Sequence, residues 1–251
     1  MPHDDGRLAR FAGLAQLGAI AAGAFTDMAV RATLIVPGSG RETARNIADF
    51  PWLYRLGTAG DVAMLLCQIA VIAALHTLLR RIAPFLSRWA SLVALTGVGL
   101  LACGLMLHLY PLLLLDDAPH PGIGMGEVQS LVRLSLALQS QVHALAMLFL
   151  GSYALLVDII VWRGRLTPRW VAAFLGVGGL LHIGSRAAAL LVPALSDGLP
   201  GQFDLLPLAG EGAFALWLLT MGVDQAVFAR SATAIPATAS TAPDAASSVH
   251  S

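Results

Sequence analysis

The residues of this chain that could do chemistry are scattered through apolar sequence. Asp27 and Arg31 stand four apart, Arg55 and Asp61 six apart, His182 and Arg186 four apart, and His108, His143 and Glu211 stand alone. Carboxylates beside guanidinium and imidazole groups can bind a small polar solute or relay protons. They can equally close into an internal ion-pair network that only holds helices together, in a structural or regulatory membrane component. Three histidines on separate segments raise a third option, paired axial ligands to a haem or a metal site in an intramembrane redox protein or enzyme. No two of them share the i,i+3 or i,i+4 spacing of a local chelate, so no metal or other cofactor is expected. No serine sits in a nucleophile elbow and no segment reads His-Glu-x-x-His. Gly122-Ile123-Gly124-Met125-Gly126 lacks the Lys-Ser/Thr of a phosphate loop. No catalytic residue is assigned, and an enzyme is the weaker reading.

What must position these residues follows from composition. The chain is 57% hydrophobic and only 12% charged, about half the ~25% charged share of a soluble domain. Its mean hydropathy is +0.75. A chain with so little polar surface has lipid as its solvent. Formal net charge is zero and every basic residue is Arg, so no basic surface for nucleic acid is expected. Cys67 and Cys103 lie inside apolar runs and read as buried free thiols.

Apolar stretches of about 20 residues, enough to cross a bilayer, fall near 9–30, 57–79, 88–110, 142–162, 170–192 and 205–228. The expected fold is an all-α transmembrane bundle of six spans over residues 9–228. A short cytoplasmic N-terminus (1–8) precedes it, and a disordered Ala/Thr/Ser/Pro tail (229–251) follows. Trp52, Tyr54, Trp89, Tyr110, Trp162 and Trp170 mark run ends, as an interfacial belt requires. Segment 127–140, with Leu131, Leu134 and Leu138 on one stripe, is predicted to be an interfacial helix that turns into the fourth span. Joined to that span it would measure about 54 Å, more than one bilayer needs. Arg7 and Arg10 before the first run resemble a signal peptide, but Asp4-Asp5 and the helical pattern continuing through Ala29 argue against cleavage.

Arg80, Arg81 and Arg88 follow the second span, and Arg163, Arg165 and Arg169 follow the fourth. Asp116, Asp117 and Glu127 follow the third, and Asp197 and Asp204 the fifth. Positive loops stay in the cytoplasm, so both termini are expected there.

Four segments, in order and spacing, are similar to a known pattern. They are Val30-Arg31 through Leu34-Ile35-Val36-Pro37-Gly38 with Asn46-Ile47, then Arg55-Leu56-Gly57 with Asp61 and Leu65-Leu66-Cys67. Thr167-Pro168-Arg169 follows, and then Gly210-Glu211 with Ala215-Leu216-Trp217-Leu218-Leu219 and Gly222-Val223. Together they resemble the bacterial family called domain of unknown function 4386, over roughly residues 8–228. The resemblance implies a six-helix protein of the bacterial inner membrane with no established activity. The chain departs from that pattern at Gln139-Ser140-Gln141-Val142-His143 and near Gly184-Ser185.

On this topology Asp27, Arg31, Arg55, Asp61, His143, His182, Arg186 and Glu211 fall at similar depth, away from the cytoplasm. They are the expected lining of an outward-facing polar pocket for a small molecule, with the lipid bilayer as the chain's other partner. Asp27, Asp61 and Glu211 balance Arg31, Arg55 and Arg186 in charge, as a closed structural network would. By depth, Asp61 is expected to pair with Arg31 and Glu211 with Arg186. Protein partners are not readable from the sequence.

Overall fold

The computed structural model describes residues 2–115, 124–192 and 205–222. Among them the chain is all-α. Helix α1 (Pro2–Phe25) continues through a π-helical stretch (Thr26–Arg31) into a last turn, α2 (Ala32–Leu34). Then come α3 (Gly40–Asp49), α4 (Pro51–Leu79), α5 (Pro84–Leu114), α6 (Met125–Gly164), α7 (Arg169–Leu191) and α8 (Leu205–Thr220). Five helical segments are long and apolar enough to cross a membrane: Asp5–Leu34, α4, α5, α6 and α7. Helix α8 is equally apolar but has only 16 residues. The predicted tail lies outside the described residues, as do Asp116, Asp117, Asp197 and Asp204.

The long helices form a closed ring. Each packs on the next in chain order, α1 on α4, α4 on α5, and so on to α7 on α8, and α8 returns to α1. Small residues allow the close crossings. A side chain on Gly13 would come within 2.5 Å of the Ala215 carbonyl oxygen of α8, and one on Gly97 within 3.1 Å of that of Ala146. Gly99, two residues along the same helix, meets nothing. The main core lies inside the ring and draws on all six of these helices. Phe11, Leu14, Leu66, Leu92, Phe174 and Leu180 point outward instead, an apolar face suited to lipid. Both cysteines are free, but Cys103 is exposed on this face rather than buried.

At one end of the ring the chain makes two tight turns, Arg80–Ala83 and Arg165–Pro168. Arg81 there binds Asp5 of α1 at 2.6 Å. The His76 ring nitrogen Nδ1 lies 3.0 Å and 3.1 Å from the Ser87 and Ser91 hydroxyls, tying α4 to α5. The other end carries a cap. Val30, Leu34, Ile47 and Tyr54 form one of its small cores, and Ala44, Leu114, Val128 and Val132 form the other.

The cap explains two differences from the sequence reading. Residues 125–164 form one 40-residue helix, about 60 Å long at ~1.5 Å per residue, rather than an interfacial helix that turns. Its first turns bury Val128 and Val132 against α3 and α5, so protein supports the helix where lipid would end. Leu134 and Leu138, expected on the docked stripe, are exposed. Likewise α5 runs through Pro111 to Leu114 rather than stopping at Tyr110, because Leu114 seats in the same core. Helix α3 lies in what reads as a charged loop. Its start is capped by the Ser39 hydroxyl, which accepts from the Glu42 N–H at 3.2 Å.

Candidate functional site

Two polar sites sit inside the ring, and they divide the residues that depth alone groups together. The first lies near the cap, where α1 widens into its π-helical stretch. A π-bulge inserts one extra residue into a helix and re-aims the side chains beside it. Here it swings Arg31 toward α4. One Arg31 nitrogen donates to Asp61 at 2.6 Å and another to Asp27 at 2.6 Å. The Asp61 side chain is 7% exposed and that of Asp27 60%. The Arg31–Asp61 pair expected between the first two spans is therefore present. Thr26, fully buried beside it, donates to the Ala22 carbonyl at 3.0 Å and lies 3.3 Å from that of Gly57. A side chain on Gly57 would come within 2.7 Å of Val30, so α1 and α4 touch backbone to side chain here.

Gln139 and His143 of α6 reach the same place. With Arg31 and Asp61 they line a cavity of about 20 Å³, room for roughly one water. Just beyond, toward the cap, the Tyr54 and His108 rings stack with centroids 4.3 Å apart. The Tyr54 hydroxyl donates to the His108 carbonyl at 2.6 Å. His108 is fully buried in that stack, and its Nε2 has no hydrogen-bond partner.

The second site is deeper in the ring. Glu211 of α8 accepts a hydrogen bond from Gln16 Nε2 of α1 at 2.8 Å. Both line a cavity of about 40 Å³ with Gln68 of α4 and Tyr153 of α6, walled by apolar residues such as Val71, Leu150 and Phe214. Two buried oxygens on this wall, Gln68 Oε1 and Tyr153 Oη, have no hydrogen-bond partner. Tyr153 is 9% exposed. Gln68 follows Asp61 by seven residues, two helical turns or about 10 Å, so the sites lie one below the other on α4. Met64 and Leu65 stand between them.

The other expected pocket residues disperse. Arg55 is exposed on the flank of α4 and makes no described ion pair. His182 packs its Cβ against Gly151 of α6, and Arg186 lies one turn further along α7. Glu211 takes Gln16 as its partner, and the expected Glu211–Arg186 ion pair is absent from the described salt bridges. The expected charge balance therefore does not describe either site: the upper holds two carboxylates on one guanidinium, and the deeper a carboxylate among neutral groups.

Among the described residues no group of three or more His, Cys, Asp or Glu side chains could hold a metal. Gln16, Gln68 and Tyr153 escape a reading that follows charge, since each is a neutral residue inside an apolar run. The one available signal is that Gln16 and Gln68 are amides at mid-span depth, where polar groups are costly.

No curated protein and no solved structure matches the chain. The family model described as "Domain of unknown function (DUF4386)" matches residues 11–222, and over that reach the chain belongs to this family.

Proposed function

We propose that this chain is a six-span protein of the bacterial inner membrane, with both termini in the cytoplasm, that binds a small solute inside its helical ring and moves it. The observation that carries the reading is the deep cavity, where Glu211, Gln16, Gln68 and Tyr153 from four helices converge in an otherwise apolar interior. Polar groups gathered at membrane depth face a water-filled path or a bound solute far more often than lipid. Helix α8 supports a sixth span: it is short, but it is wedged between two membrane-length helices. The arginines at the tight-turn end support a cytoplasmic assignment for that end. The solute enters from the cap side, past Asp61, Gln139 and His143.

Orientation is tested by reporter fusions, which should read cytoplasmic at residues 84 and 166 and periplasmic at 119 and 199. An inverted reading at any two positions refutes it. The path is tested by Gln68→Cys in a chain with Cys67→Ala and Cys103→Ser. Ag⁺, a thiol-reactive ion small enough for the cavity, added from the periplasmic side should label the introduced thiol, and no labelling from either side removes the reading. For the Asp27–Arg31–Asp61 cluster alone, two 2.6 Å contacts on one guanidinium favour a structural role.

A further inference from the structure

We infer that the deep cavity is a binding site for a small monovalent cation, held by the Glu211 carboxylate with Gln68 Oε1 and Tyr153 Oη. The assignment rests on the solute-binding reading above and names its ligand class. Size sets the first limit. About 40 Å³ admits roughly three water-sized spheres at ~10–15 Å³ each, enough for one bare ion with a water or two. Sugars, amino acids and nucleotides do not fit.

Charge sets the second limit. Glu211 carries the one formal charge among the residues that line the cavity, and no basic side chain is among them. A lone carboxylate in an apolar bundle is costly until a positive charge meets it. One monovalent cation brings the site to neutrality, whereas a divalent ion would leave an excess positive charge in the same surroundings.

Donor chemistry sets the third limit. Among the residues that line the cavity, two buried side-chain atoms have no partner, and both are oxygens, the Gln68 amide carbonyl and the Tyr153 phenol. Oxygen donors suit hard cations. The one amide nitrogen placed at the carboxylate, Gln16 Nε2, binds Glu211 itself. It holds Oε2 and leaves Glu211 Oε1 for the ion. The site thus presents neutral oxygens around one carboxylate at mid-bundle depth.

The test is ²²Na⁺ binding to full-length protein in detergent at fixed pH, with Li⁺, K⁺ and choline as competitors. Saturable binding is expected, competed by Li⁺ and not by choline, together with a melting temperature that rises with NaCl and not with choline chloride. Glu211→Gln should abolish binding, and Tyr153→Phe and Gln68→Leu should each weaken it about tenfold by removing one donor. Absence of saturable binding in folded wild-type protein overturns the assignment, as does unchanged binding in Glu211→Gln. Should Glu211→Gln fail to fold, unchanged affinity in both Tyr153→Phe and Gln68→Leu overturns it. Labelling of the Gln68→Cys variant, where the wild-type protein binds no Na⁺, rejects the cation and keeps the solute path. Na⁺ binding by the wild-type protein, where the Gln68→Cys thiol stays unlabelled, rejects the path and keeps the site.

Discussion

The two polar sites inside the ring use similar residues to opposite ends. Near the cap, Arg31 gives its two terminal nitrogens to Asp27 and Asp61, each 2.6 Å away, and Thr26 and the close approach at Gly57 lock the helices around it. Deeper in the ring, Glu211 has one neutral partner, and two oxygens beside it have none. Buried charges that are fully paired behave as fixed parts of the packing, and removing one partner costs far more than removing both. Buried polar atoms without a partner are few in folded proteins, and water or a bound ion can complete them. Charge alone therefore does not mark a site in a membrane protein. What separates the two sites is whether the buried carboxylate has a guanidinium against it, as Asp61 has and Glu211 has not among the described salt bridges.

That contrast can be broken most sharply at Asp61. Asp61→Asn leaves Arg31 with only its exposed partner and should cost about 3–5 kcal/mol, and adding Arg31→Met should recover most of it. Thermal or denaturant unfolding in detergent reads both. Gly13→Ala, which drives a methyl into the Ala215 carbonyl, should cost about 1–3 kcal/mol by overpacking the α1–α8 seam. Gly99→Ala, with open space around it, is the control and should leave the melting temperature in place. Tyr54→Phe should cost about 1 kcal/mol, the worth of its bond to the His108 carbonyl. In sodium-free buffer Glu211→Gln should cost less than Asp61→Asn, Gly13→Ala or Tyr54→Phe, about 0.5 kcal/mol or less, because the amide keeps a carbonyl oxygen for Gln16. A loss at Glu211 as large as that at Asp61 would erase the distinction between the two sites.

The all-α fold and the Arg31–Asp61 pair are legible in the sequence because both follow from strong physical costs. Charges at membrane depth must be paired, and those two sit at matching depth on consecutive helices. Depth does not say which face of a helix a residue occupies, and that is why it places Glu211 beside Arg186 when the carboxylate lies beside Gln16. Gln68 and Tyr153 carry no charge, so no such cost singles them out in an apolar run. A break in helix α6 follows only if bilayer thickness is the one support available. Val128 and Val132 find theirs in α3 and α5, a contact between segments far apart in the chain. Helix α3 is signalled locally, by Ser39 three residues ahead of Glu42, a spacing typical of helix starts.

The ring's closure also sets an order of events during synthesis. Gln16 and Glu211 are 195 residues apart, so at about 5–20 residues per second Gln16 waits roughly 10–40 s for its partner. Until α8 emerges, α1 and α7 each lack a neighbour, and Gln16, Gln68 and Tyr153 face an open seam. The chamber is completed by the last of the described helices, in a single step that joins α1 to α8. A nascent chain stalled before Glu211 holds most of the wall and none of its charge.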